Sequence, residues 1–183
     1  MPKVIENGHL YYPRISEFFI DHALEYIPTK KYYGVFSREL IKKDQTVLKV
    51  SGQCYSDISD SPLLMKYSVI LAPDFYLGPM DANNIEADWY LNHSCNPNLR
   101  RVGVLIYVAA RDISPKEELT IDYSPLNATP EDGFAEMTCL CNDPGCRKII
   151  SSKDWTKPDL AKKLWIEWSP FIQKTILKMG LLK

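Results

Sequence analysis

The sequence predicts a mostly β (α+β) domain built from small sheets, with a helical flank at each end. Three observations carry that expectation. Between residues 31 and 121 the chain consists of short runs rich in Val, Ile, Leu and Tyr, closed by turn residues such as Pro73-Asp74 and Gly78-Pro79. Towards both ends, apolar residues recur at helical spacing instead. The 183 residues, 45% hydrophobic and 25% charged, have the composition of one folded domain rather than of a disordered chain.

Taken in order, Ile15, Phe18, Phe19, His22, Ala23 and Tyr26 lie on one face of a helix, with Ser16 as its N-cap and Pro28 as its stop. His22 lies on that apolar face and reads as a packed core histidine, not a ligand. Strands are expected at 32–37, 45–50, 67–71, 75–77 and 102–109, and a short strand-like run at 117–123. The chain then turns loop-like at Ser124-Pro125, Thr129-Pro130 and Asp132-Gly133. Beyond Pro158, Leu160, Leu164, Trp165, Trp168, Phe171, Ile172, Ile176 and Met179 form a second helical stripe, interrupted at Pro170. Its tryptophans have to be covered, by the β domain or by another subunit.

Several function classes are excluded. A formal net charge of −1 is wrong for a chain that works as a polycation on nucleic acid, so no direct nucleic-acid binding is expected. No apolar run approaches the length of a membrane span. The first ten residues hold Glu6, Asn7 and His9 where a signal peptide would need its apolar stretch, so a soluble intracellular protein is expected, nucleus and cytoplasm being indistinguishable. Its oligomeric state is expected to be monomer or homodimer. Residues 112–136 carry seven acids against one base, and residues 147–183 nine bases against three acids. The acidic run reads either as a solvated face or as an attraction for a cationic substrate.

Five cysteines without a secretion signal make a poor disulfide framework. Cys139, Cys141 and Cys146 form a C-x-C-x4-C cluster, whose thiolates suit a soft or borderline metal; incidental cysteines are the alternative. Cys54 reads as a small core residue. Two further segments stand out. Asn92-His93-Ser94-Cys95-Asn96-Pro97-Asn98 is dense in small side chains that hydrogen-bond backbone. Glu117-Glu118-Leu119-Thr120-Ile121-Asp122-Tyr123 ends in a tyrosine just before the loop.

In this order, the two segments and the cysteine cluster resemble the SET-domain protein-lysine N-methyltransferases with a post-SET zinc motif. The first looks like the family's N-H-S-C-x-P-N signature, the second like E-L-T-x-D-Y, and Cys139 to Cys146 followed by Arg147 like the post-SET motif. The resemblance spans about residues 31–147. It implies a SET fold whose signature segment threads as a pseudoknot beside the E-L-T-x-D-Y run. It also implies S-adenosyl-L-methionine as cofactor and a lysine-containing protein as substrate, basic like a histone tail. On the matching positions, Tyr123 would be catalytic and would touch the cofactor together with Tyr32, Tyr33, Gly34, Asn92 and His93. Ile121 would line the lysine channel; with no hydroxyl to hold a water there, it implies di- or trimethylation. Cys95 would join Cys139, Cys141 and Cys146 as the fourth ligand of Zn²⁺.

The implied organisation is a helical flank at 1–29, a SET domain at 30–124, a post-SET zinc loop at 125–150 and a helical segment at 151–183. The chain departs from the family's pattern in four places. Tyr32 replaces the first glycine of G-x-G-V-F, Val50 the tyrosine of Y-x-G-E, Trp89 the arginine three residues before the signature asparagine, and Lys116 the glycine before the glutamate pair. Two other readings are a SET-like binding module without turnover and a methyltransferase acting on a small molecule.

Overall fold

A computed structural model describes residues 4–6, 9–11, 16–81, 85–128 and 136–182. Its largest sheet is four-stranded and antiparallel, in the order Leu99–Val102, Ile106–Ala109, Thr46–Lys49, Glu17–Phe18. Beside it lie the His22–Ile27/Tyr32–Ser37 hairpin and a three-stranded sheet of Gln53–Tyr55, Phe75–Gly78 and Val69–Ala72. The pair that positions the site is parallel: Asn92 faces Thr120 and His93 faces Ile121. A small core of Val35, Ile41, Val47, Leu48, Leu99, Ile113 and Leu119, all fully buried, joins these sheets. The expected mostly β architecture is therefore present, and no helix among the described residues is long and apolar enough to cross a membrane.

The N-terminal helix is a correction. Its span contains two strands, Glu17–Phe18 and His22–Ile27, and Ile15 lies outside the described residues. The supposed apolar face is split: Ala23 is buried and Phe18 packs against the core, whereas Phe19 and Tyr26 are exposed. The turn after Ile27 brings this segment against Tyr32–Ser37 in six consecutive residue pairs. That cross-strand pairing outweighs a helical pattern that spans only three turns. His22, expected in the core, is half-buried on this strand, its ring stacked on Phe18 with centroids 3.8 Å apart.

Three other expectations shift. The strand foreseen at 102–109 is a hairpin, because Gly103 takes φ +66° and turns the chain between Val102 and Ile106. Helix α1 (Pro62–Tyr67) precedes the strand foreseen at 67–71. The Ser61 hydroxyl caps it by accepting from the Leu64 amide, and Pro62 occupies its first turn. Cys54 is exposed on an outer strand of its sheet and is not a core residue.

The C-terminal stripe forms α2 (Pro158–Lys163), a 3-10 turn over Trp165–Glu167, and α3 (Pro170–Lys178). Pro170 starts α3 instead of kinking a longer helix, and the Ser169 hydroxyl caps it. Much of the stripe is covered within the chain: Leu164, Trp168, Ile172 and Ile176 are buried with Trp155 and Ala161, while Met179 is exposed. Arg101, 1% exposed, ties this unit to the sheet, donating through its guanidinium to the carbonyls of Glu167 and Pro125. Ile172 is fully buried here, so Ile172→Ala should cost about 2–5 kcal/mol. Urea unfolding should show a lower midpoint with an unchanged slope if α3 is part of the single cooperative core.

Candidate active site

The parallel pair begins with the side chain of Asn98, only 2% exposed. Its carbonyl oxygen accepts from the Thr120 amide at 2.8 Å, and its amide donates to Glu118 O at 2.8 Å and to Glu117 Oε1 at 3.0 Å. These bonds hold 92–98 against 117–121, and the Ser94 amide adds a bond to Ile121 O at 3.0 Å. The site thus rests on a side chain satisfying backbone groups that such a short strand leaves over.

Beside this pair opens a cavity of about 460 Å³. Tyr32, Tyr33, Asn92, Ile121 and Tyr123 line it, so five of the expected site residues converge on one space. Gly34 and His93, also expected at the site, are not among its lining residues. A Cβ on Gly34 would come within 2.7 Å of Glu118 Oε1 and 3.2 Å of Asn92 Nδ2. A larger residue would have to displace those side-chain ends and the Asn92–Glu118 hydrogen bond between them. Both amide hydrogens of Asn92 are committed, to Tyr33 O and to Glu118 Oε1, each at 2.8 Å. Only its carbonyl oxygen is left for a ligand.

The Tyr123 hydroxyl donates to Leu91 O at 2.7 Å. Burial raises its pKa well above the ordinary phenol range, so it stays neutral, with oxygen lone pairs to offer. The Tyr123 amide donates to His93 Nδ1 at 3.1 Å. Burial lowers the imidazole to about 4, against the opposing charge of Asp122. His93 is therefore neutral with its proton on Nε2, which faces Cys95 Sγ at 3.3 Å.

Cys95, Cys139, Cys141 and Cys146 converge, their sulfurs all within 4.8 Å of one another. A tetrahedral zinc with Zn–S of ~2.3 Å needs sulfurs roughly 3.8 Å apart, and Cys95 and Cys139 are 3.7 Å apart. The donor set therefore fits such an ion. Burial alone would raise the Cys141 thiol, but amides of Cys95 and Asp143 donate to it and pull it down to about 6. The strand pair Met137–Thr138/Ile149–Ile150 closes the loop that carries three of the cysteines.

In the sequence Arg147 is only the residue after the last cysteine, yet in the fold it joins two parts of the site. Its amide donates to Cys95 Sγ at 3.3 Å and its guanidinium to Asp122 Oδ1 at 2.7 Å. Four acids of the run are paired with bases from outside it: Asp112 with Lys42, Glu117 with Arg111, Glu118 with Lys30 and Asp122 with Arg147. Glu131 and Asp132 lie outside the described residues. Sequence reasoning also missed Asp88 and Lys66, both on the cavity wall. No motif marks either; only the fold brings them there.

Comparison with known proteins fits this geometry. The family described as SET domain matches residues 32–124, just over half of the chain. A probable histone-lysine N-methyltransferase, set-23 of Caenorhabditis briggsae, is 30% identical over 170 residues, covering 81% of this chain and 64% of that protein. An H3 lysine-36 specific histone-lysine N-methyltransferase of Candida albicans is 26% identical over 145 residues, covering 69% of this chain and 16% of its own length. The chain thus spans only part of these relatives. Among solved structures, the methyltransferase domain of human SETMAR superposes with a TM-score of 0.54 at 22% identity, over 72% of this chain and 59% of that one. KRYPTONITE in complex with DNA, an H3(1-15) peptide and SAH gives 0.54 at 26%, over 73% of this chain and 30% of that one.

Asp88 gives the cavity wall a signature in solution. Burial raises its carboxyl to about 7 from 3.8, with the Ser16 hydroxyl, bonded to Oδ2 at 2.8 Å, acting against the rise and Glu86 adding to it. Between these values the folded state keeps a proton that the unfolded state releases, so this group's contribution to stability falls as pH rises. Asp88→Asn keeps an acceptor for Ser16 and removes the ionisation. It should unfold at higher urea than the parent at pH 8, by on the order of 1–4 kcal/mol, and at nearly equal urea at pH 4. An equal difference at both pH values would contradict the assignment.

Proposed function

The chain belongs to the SET-domain family, and from that premise we propose that it methylates the side-chain amine of lysine in a protein. When bound, S-adenosylmethionine supplies an electrophilic methyl group on a positively charged sulfur. The observation that carries the reading is the Tyr123 hydroxyl, fixed on Leu91 O at the wall of the cavity that Tyr33 and Asn92 also line.

The lysine amine has to arrive uncharged, although free lysine titrates near ~10.4. The tyrosines, Ile121 and Leu91 on the cavity wall would disfavour the ammonium through desolvation. Because the Tyr123 hydrogen is spent on Leu91 O, its oxygen can only accept, from an amine N–H or from a polarised C–H. That role orients the amine lone pair and does not remove its proton. Tyr32, Tyr33, Gly34, Asn92 and His93 form the cofactor side in this reading, Asn92 through its carbonyl oxygen and Gly34 and His93 through backbone. Ile121, 5% exposed, lines the channel without a hydroxyl, which leaves room for an amine already carrying methyl groups. Cys95, Cys139, Cys141 and Cys146 would hold Zn²⁺, whose chemistry here is to fasten the loop and not to activate the substrate. The relatives' names support a histone-like lysine as the target.

Incubation with histones, cell proteins and tritiated-methyl cofactor, followed by site mapping, tests the proposal. Lysine should become labelled, and mass spectra at long times should show di- or trimethyl product. Tyr123→Phe keeps the packed ring and deletes the hydroxyl. It should lower kcat roughly a hundredfold, with little change in cofactor affinity. Saturable cofactor binding without transfer to any protein would favour the binding-module reading instead.

A further inference from the structure

Tyr123 orients the amine but does not take its proton, and a protonated lysine has no lone pair to offer. A base in the cavity would remove that obstacle. Asp88 lines the cavity, and its Oδ1 is buried with no hydrogen-bond partner among the described residues. A carboxylate oxygen left in this way costs folding energy that its surroundings do not return. A donor arriving from a ligand would satisfy it.

The rest of the residue is held in place. Oδ2 accepts from the Ser16 hydroxyl at 2.8 Å, and the Ser16 oxygen accepts from the Ser51 amide at 2.9 Å. Asp88 lies in the 3-10 turn Ala87–Tyr90, where its carbonyl accepts from the Leu91 amide at 3.3 Å. Leu91 O is the group that accepts from the Tyr123 hydroxyl. A single residue therefore joins the turn that carries the carboxyl to the phenol that orients the amine. Tyr107, on the Ile106–Ala109 strand, lines the same cavity within electrostatic reach of both Asp88 and Tyr123.

The surroundings tune the carboxyl. Burial raises it to about 7; the Ser16 bond opposes the rise and the Glu86 charge adds to it. Tyr107 is neutral, pushed up to about 12 by its own burial, with Arg101 and Glu167 beside it. The Arg101 guanidinium donates through Nε and Nη2 to the carbonyls of Glu167 and Pro125, and its Nη1 is buried without a partner. A base that titrates near neutrality combines a useful ionised fraction with useful basicity.

Resting on the functional reading above, we propose that Asp88 Oδ1 receives a proton from the ammonium of the substrate lysine. The N–H bond that breaks leaves its electron pair on nitrogen, where it can attack the methyl carbon. The O–H bond that forms turns Asp88 into the neutral acid, which returns its proton to water once the methylated amine has left. Tyr123 and Asp88 then divide the work, one directing the lone pair and the other exposing it.

Rates of methyl transfer to the labelled histone, followed from about pH 6 to 10, test the proposal. In the parent, kcat/KM should rise with pH and level off above about 7, where Asp88 is ionised. Asp88→Asn keeps the acceptor for Ser16 and removes the base. It should lose roughly a hundredfold at pH 7 and keep rising at higher pH, because only amine already neutral in solution reacts. Ser16→Ala deletes the bond that opposes the rise, so the levelling should move to higher pH. With S-aminoethylcysteine in place of the target lysine, the amine is less basic and the Asp88→Asn loss should shrink by about tenfold. A thermal melt checks that both variants fold. Equal losses for the two amines, or a parent rate that climbs without levelling, would overturn the proposal. A parent that labels no lysine would instead overturn the functional reading on which it rests.

Discussion

Two strands of two residues each, Asn92–His93 and Thr120–Ile121, run side by side in parallel. Parallel pairing cannot be closed by a tight turn, so the chain travels through the Leu99–Val102/Ile106–Ala109 hairpin before it returns. Four residues of ladder cannot support themselves. Asn98 supplies what is missing, bonding the backbone at both Glu118 and Thr120. Because of this join, Asn92 and Tyr123, remote in sequence, line the same cavity. Gly34 reaches the same join from the neighbouring hairpin, where a Cβ would come within 2.7 Å of the Glu118 carboxylate.

From this join two connections run to Cys95. One passes from the Tyr123 amide to His93 Nδ1 and from Nε2 to the Cys95 sulfur. The other passes from Asp122 to the Arg147 guanidinium and from the Arg147 amide to the same sulfur. Asp122 and Tyr123 are adjacent, so the backbone that presents the Tyr123 ring is held from both sides. Every donor in the two connections is an N–H facing sulfur, carboxylate or imidazole nitrogen. Burial raises the Cys95 thiol, and these donors act against that rise, towards the thiolate that binds a metal. The cysteine loop is then a structural part of the site and not a distant staple.

The sequence revealed those features whose chemistry is local. The signature from Asn92 to Asn98 and the spacing of Cys139, Cys141 and Cys146 carry their meaning in residue type and order. The strand at Tyr32–Ser37 was legible because β-branched and aromatic residues follow a lysine-rich turn. Features decided by partners were not legible. Whether Phe18 to Tyr26 is helix or strand depends on the presence of Tyr32–Ser37 beside it. Cys54 looks apolar in sequence, and only sheet order shows that its strand lies at an edge. Asp88 and Lys66 reach the cavity from a 3-10 turn and from α1, neither of which has a motif. Arg147 was visible as a letter beside a cysteine, but its carboxylate partner lies in another segment.

In this account the cluster of Cys95, Cys139, Cys141 and Cys146 and the backbone of Tyr123 form one mechanical unit. Amide hydrogen exchange of zinc-loaded protein, before and after chelation, tests it most directly. The Tyr123 amide, bonded to His93 Nδ1, should lose at least about tenfold in protection when the metal is removed, because opening free energies are local. Amides of Leu48 and Val108 in the four-stranded sheet should keep theirs. Unchanged protection at Tyr123 after complete removal of metal would contradict the account.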